Sequence, residues 1–295
     1  MKGVIHVLPS MFFLFIFILI LGASHALAVE PKSETNPADA ETNFKIGVEY
    51  LIRGQYDQAI PCFDEALRIN PSHAQTYNNR GLAYSYKGNY DRAILDFNKA
   101  LEINPENANT YINRGVAYCN KGEYDRAIQD YNKALEINPK DANAYYNRGN
   151  ANDKKGEYDR AISDYSKTLE ISPKYAKAYG NRGATYCKKV QYDRAISDFN
   201  KALEIDPKHA DAYYNRGTAY YKKGNCDRAI SDFNKALEIN PEDAKTYINR
   251  GVAYEKLGKK REAIESYRSF IKYASPNDLS LIEYTKQEIK KLENK

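Results

Sequence analysis

An all-α solenoid of stacked helical hairpins follows from three features of the chain. Seven prolines stand 34 residues apart at Pro37, Pro71, Pro105, Pro139, Pro173, Pro207 and Pro241, with Pro276 one residue late. Each interval holds two stretches whose apolar residues recur at three- and four-residue steps. A glycine or a small polar cluster parts the two stretches, as at Lys87, Gly88 and Asn89. A fixed period of this length means that each unit is one supersecondary element that buries its apolar face only against its neighbours.

The N-terminus reads as an address. One basic residue, Lys2, precedes the uninterrupted apolar run Met11 to Leu21, and Ala26, Leu27 and Ala28 form a small-residue cleavage motif. These are the three parts of a secretory signal peptide, predicted over residues 1–28. The apolar run is short beside the roughly 20 residues of a membrane span. Export is expected, periplasmic in a bacterium or secreted, with a membrane tether only where the segment stays uncleaved. Residues 29–39, polar and holding Pro31, form a flexible lead-in.

Each periodic proline follows Asn, Asp or Ser, and the pair reads as a helix start. The short side chain accepts from a first-turn amide, and proline at the first helical position loses only an amide proton without a partner. In the unit 74–107, Tyr77, Gly81, Ala83 and Tyr84 mark the first helix and Ala93, Ile94, Phe97, Ala100, Leu101 and Ile103 the second, each an amphipathic stripe. Gly88 takes the left-handed conformation that ends a helix. In this register the units are 40–73, 74–107, 108–141, 142–175, 176–209, 210–243 and 244–277. The final helix, within 278–295, carries Ile282, Thr285, Ile289 and Leu292 on one stripe and charges elsewhere. It is expected to cap the core.

Departures from the pattern are few. The first unit has Asn43 for the aromatic and Pro61 in its second helix. The fourth has Asn152 for Tyr and Thr168 for Ala, which brings polar groups into the packing layer and makes that unit a candidate weak joint. The fifth has Val190 for the turn glycine, and the sixth Cys226 for Tyr.

The period and these recurrent residues resemble the tetratricopeptide repeat family, whose pattern combines an aromatic, a small residue, a Tyr, an Ala, a Phe or Tyr and a closing Pro. The resemblance covers seven units, about four fifths of the chain. It implies a right-handed superhelical solenoid of antiparallel helix pairs and a non-catalytic scaffold that binds a peptide or helix in a concave groove.

The sequence offers no catalytic constellation. His73 and His209 are remote from each other, so neither a metal cluster nor a nucleophile–base pair assembles on them, and no metal or cofactor is expected. The Asp-Arg steps at Asp91, Asp125, Asp159, Asp193 and Asp227 open second helices. With 44 Lys and Arg against 39 Asp and Glu, the net charge of +5 is too small to argue for nucleic acid. Cys62, Cys119, Cys187 and Cys226 fall in repeats mostly too far apart for a disulfide, and none is expected.

What the resemblance implies for binding is a list of groove positions. The sixth residue of each unit from the second onward is Asn79, Asn113, Asn147, Asn181, Asn215 and Asn249. Such a ladder either pairs with the backbone of an extended peptide or bonds between neighbouring first helices. The arginine after each is a structural residue, partnered by the periodic aspartates. Tyr86, Tyr146, Tyr214 and Tyr221 project to the groove as anchors. Phe44, Val48, Leu51, Leu82, Ile112 and Val116 make its first half apolar, and Lys177, Lys188 and Lys222 are among the residues that make its second half polar. Asn150 and Asn181 match two positions of a carboxylate clamp found in some family members, but Tyr146, Asp211 and Asn215 stand where cations are needed. Two alternatives remain at this stage: self-assembly through the apolar end around Phe44 and Leu51, and an accessory role in which Lys177, Lys188 and Lys222 hold an anionic polymer.

Overall fold

The computed structural model describes residues 39–294. The signal segment, most of the lead-in and the pair Asn36–Pro37 lie outside the described residues. Those that are described form helices α1 Ala40–Ile52, α2 Tyr56–Ile69, α3 Ala74–Tyr86, α4 Tyr90–Ile103, α5 Ala108–Asn120, α6 Tyr124–Ile137, α7 Ala142–Lys155, α8 Tyr158–Ile171, α9 Ala176–Lys188, α10 Tyr192–Ile205, α11 Ala210–Lys222, α12 Cys226–Ile239, α13 Ala244–Lys256, α14 Lys260–Tyr273 and α15 Leu279–Glu293. They pair as seven antiparallel hairpins in tandem, and α15 packs on α14. Among the described residues no helix is long and apolar enough to cross a membrane.

Each hairpin closes by seating an aromatic ring of its second helix on a glycine of its first. A Cβ added to Gly81 would sit 2.7 Å from Phe97 Cε1, and one at Gly149 would sit 2.8 Å from Tyr165 Cε1. The rings of Phe63, Phe97, Tyr131, Tyr165, Phe199, Phe233 and Tyr267 are almost wholly buried. Only a residue without a side chain lets the two helices approach this closely.

The Asn-Pro pairs do not start helices, which corrects the sequence reading. Asn70, Asn104, Asn138, Ser172, Asp206 and Asn240 are the C-caps of second helices. The following proline forces its predecessor out of the helical region, and the Asn70 side chain then accepts from the Ser72 amide at 3.1 Å, closing the turn. The next helix begins three residues later, with Asn107 and Asp141 accepting from first-turn amides. A polar–proline pair satisfies the grammar of a helix end as well as that of a helix start. Among the described pairs only Ser275 and Pro276 act as expected, opening a 3-10 turn with a capping box ahead of α15.

A row of arginines locks the register between hairpins. Arg80 on α3 donates twice to Asp96 on α4, at 2.8 and 2.7 Å, and once to Asp64 on α2 at 2.6 Å. Arg114, Arg148, Arg182 and Arg216 repeat the arrangement with Asp130, Asp164, Asp198 and Asp232, and reach Asn98, Asn132, Ser166 and Asn200 on the preceding hairpin. Each guanidinium therefore ties three helices, and its planar fork suits the bidentate carboxylate. These carboxylates are not those of the Asp-Arg steps. Those steps lie in the first turns of second helices, where Asp91 and Asp125 meet Lys121 and Lys155 of the next repeat at 2.7 and 2.6 Å.

The fourth repeat carries the polar substitutions unevenly. Thr168 Oγ1 donates to the Asp164 carbonyl at 3.1 Å and is satisfied. Asn152 donates to Asp164 Oδ2 at 2.9 Å, while its buried Oδ1 has no partner, a defect worth roughly 1–3 kcal/mol. All four cysteines are free thiols, and burial pushes Cys187 up to about 11, which keeps it protonated and inert.

Val190 alone among the described non-glycine residues has a positive φ, 60°, at the turn where other repeats place glycine. A β-branched residue there is strained, and Val190 is exposed, so its side chain returns little packing. Val190→Gly is expected to stabilise the protein by about 1 kcal/mol, read from urea melts. In the same assay Asp232→Ala, which leaves the Arg216 charge without its carboxylate, is expected to cost about 3 kcal/mol, and Arg216→Met with Asp232→Leu together to cost less than Asp232→Ala alone.

Candidate functional site: the inner wall of first helices

Successive first helices, α1, α3, α5, α7, α9, α11 and α13, touch one another, whereas successive second helices do not. The first helices are therefore the shorter, inner wall, and their side chains line the groove.

Along this wall the asparagines of the ladder differ in their bonding. Asn113 donates to Asn78 Oδ1 at 3.0 Å, Asn181 to Tyr146 Oη at 3.0 Å and to Asn150 Oδ1 at 2.8 Å, and Asn249 to Tyr214 Oη at 2.9 Å. These three are spacers between neighbouring helices. The partner always lies 35 residues earlier, at the fifth position of the preceding repeat, or four residues beyond that. Asn79 accepts only from its neighbour Asn78. In the same register Asn147 faces Ile112 and Asn215 faces Gly180, neither of which offers a side-chain partner. Among the described residues Asn147 and Asn215 make no side-chain hydrogen bond, so their carboxamides retain a free donor and acceptor.

The predicted anchors separate in the same way. Tyr146 is only 6% exposed, its ring stacked 5.0 Å from that of Tyr175, which removes it from the groove surface. Asn150 is held between Tyr165 Oη and Asn181, so neither clamp-like carboxamide is free. Tyr214 is half-buried against Phe233. Burial pushes both phenols up, so Tyr146 and Tyr214 stay neutral hydroxyls. Tyr86 is 41% exposed and stacks on Tyr56 at 5.1 Å, and Tyr221 carries the Lys256 ammonium 5.0 Å over its ring. Lys188 is paired with Asp153 at 2.5 Å, which takes it out of the proposed basic set. Lys177 and Lys222 are exposed and form no ion pair among the described residues.

The residue that the sequence reading passed over is Gly180. It occupies the fifth position, where the other repeats place Phe44, Asn78, Ile112, Tyr146, Tyr214 and Ile248. The repeated helix glycines such as Gly81 are wedged against rings, but nothing lies within 4 Å of a Cβ built on Gly180. Packing therefore does not require glycine here, although glycine in a helix interior costs roughly 0.5–1 kcal/mol relative to alanine. Its effect is a notch in the wall, bounded in sequence register by Tyr146 and Tyr214 and faced by the free carboxamide of Asn215. The signal was present in the repeat alignment as the one missing side chain in an otherwise bulky column.

Comparison with known proteins places this wall in context. A family model described as TPR repeat matches residues 47–88, 115–156, 185–224 and 217–258. Others described as Tetratricopeptide repeat match 74–107 and 142–175, 97–129, and 244–277. No curated protein matches the chain. Among solved structures, MamA is 33% identical, with 56% of this chain and 96% of that one covered and a TM-score of 0.52. YrrB, described as a tetratricopeptide repeat protein with an unusual peptide-binding site, is 28% identical over 62% of this chain and 95% of its own, with a TM-score of 0.52. A tetratricopeptide repeat protein from Parabacteroides merdae shares the fold at 23% identity, over 83% of this chain and 98% of that one, with a TM-score of 0.65. With matched repeats running through most of its length and the hairpin geometry they specify, the chain belongs to the tetratricopeptide repeat family.

Proposed function

We propose that this protein is a non-catalytic interaction scaffold that holds an extended segment of a protein partner along the inner wall, reading one of its side chains at the Gly180 notch. The observation that carries this reading is the split in the asparagine ladder. Carboxamides that only spaced helices would all be bonded, whereas Asn147 and Asn215 keep donor and acceptor free, as pairing with a peptide backbone requires. The likeness to YrrB, whose structure is described as having a peptide-binding site, supports a peptide as the ligand. Exposed Lys177 adds a cation beside the notch in sequence register.

The proposal includes an extracytoplasmic setting, which rests on the tripartite N-terminal segment. Intact-mass measurement of the protein from its native host is expected to show a chain starting at Val29. A mass retaining Met1 through Ala28 would replace export of a free protein by a tethered one.

A library of extended peptides displayed against the purified protein tests the groove. Enriched peptides are expected to lose about tenfold or more in affinity, roughly 1.4 kcal/mol, on Gly180→Tyr, and to weaken on Asn215→Ala. Gly180→Ala is expected to raise stability by about 0.5–1 kcal/mol, whereas Gly183→Ala, whose Cβ would lie 2.8 Å from Phe199 Cε1, lowers it. Unchanged binding by a well-folded Gly180→Tyr variant would move the function away from the notch.

A further inference from the structure

At the C-terminal end of the inner wall, a cleft of about 380 Å³ opens among residues of α11, α13, α14 and α15. Tyr221 and Tyr284 line it together with Glu255, Glu288 and Lys256, and Tyr267, whose ring is buried on Gly251, closes its floor. Ile248 and Val252 on α13 supply an apolar surface. Tyr221, Ile248 and Val252 occupy repeat positions that line the wall elsewhere, so the cleft continues the groove.

The chemistry of this lining favours a cation. Aromatic faces carry negative potential and attract ammonium and guanidinium groups, and one ring already does so: Lys256 Nζ lies 5.0 Å from the centre of Tyr221. Glu255 accepts from Tyr267 Oη at 2.7 Å, a neutral donor that leaves the carboxylate charge unbalanced, and Glu255 forms no ion pair among the described residues. Burial and the neighbouring carboxylates push the Tyr267 phenol well above its ordinary value, so it remains that neutral donor. Glu288 is paired at 2.7 Å with Lys291, whose side chain is largely solvent-exposed.

We propose that this cleft is a cation site that takes the lysine or arginine side chain of a peptide lying in the groove, which rests on the reading of the inner wall as a peptide site. Rings flank the alkyl stem, Glu255 pairs with the charged head, and Lys256 is the internal cation that competes for the same surface. A lysine or arginine suits the site because its apolar stem and charged tip match an apolar surface beside carboxylates.

Binding to the purified protein, followed by nuclear magnetic resonance titration, tests this. The probes are blocked pentapeptides in which the central residue of a glycine run is arginine, lysine or norleucine, and tetramethylammonium chloride. The arginine and lysine peptides are expected to bind about tenfold or more tightly than the norleucine peptide, as cation–π and ion-pair contacts predict. Glu255→Gln keeps an acceptor for Tyr267, and Tyr284→Ala removes a ring that is 56% exposed, so both are expected to keep the fold and to weaken binding of the cationic peptides. Lys256→Met is expected to strengthen it, an outcome that a purely structural role would not produce. Chemical-shift changes on addition of the cationic pentapeptides are expected at Glu255 and Tyr284 whatever the outcome at the notch, so failure at the notch and failure at the cleft are distinguishable. Equal binding of the norleucine peptide, no binding of any peptide, or binding of tetramethylammonium alone would overturn the proposal.

Discussion

The seating of an aromatic ring on a glycine is the contact on which the rest of this structure depends. It brings the two helices of each hairpin close enough that Phe97 and its counterparts are fully enclosed. A hairpin built this way is thin, with apolar residues left on the face that looks toward its neighbour. The free energy of a single hairpin is therefore insufficient, and stacking completes the core. Both the solenoid and its need for a covering α15, which buries Thr285, Ile289 and Leu292, follow from that shortage.

Apolar stacking is nearly indifferent to small rotations and slips, and the arginines remove that freedom. Each interior guanidinium has partners on two helices besides its own, so a slip of one repeat on the next would strand a charge in a half-buried site. The ends show where this device runs out. Ile46 stands in the first repeat at the arginine position, and Arg250 in the seventh meets Ser266 in place of a carboxylate. Repeat four places its irregularity at the same interior layer, where Asp164 serves both Arg148 and Asn152.

Function enters where the repeats stop being alike. Residues common to all or nearly all units report the contacts that a hairpin needs, such as the seated ring, the turn glycine and the arginine. The inner wall is freed from those duties, and there the repeats diverge: an open position at Gly180, bonded carboxamides at Asn181 and Asn249, unbonded ones at Asn147 and Asn215. Irregularity in a periodic chain is thus the more informative part for recognition. It is also the part that a rule applied uniformly to every repeat overlooks.

The 34-residue period, the amphipathic stripes and the turn glycines determined by themselves that the chain is an all-helical solenoid, because such a pattern buries its apolar residues in no other way. Tertiary structure decided the rest. The polar–proline pairs close second helices because the preceding apolar stripe continues up to them and the proline then forbids another turn, a choice that local pattern left ambiguous. Likewise Tyr146 and Asn181 share repeat positions with Tyr214 and Asn215, yet Tyr146 is sealed against Tyr175, and Asn181 is bonded where Asn215 is free. That difference arises because each side chain's surroundings come from a neighbouring helix remote in sequence: the asparagines meet the fifth residue of the preceding repeat, 35 residues earlier, and Tyr146 meets Tyr175, 29 residues later.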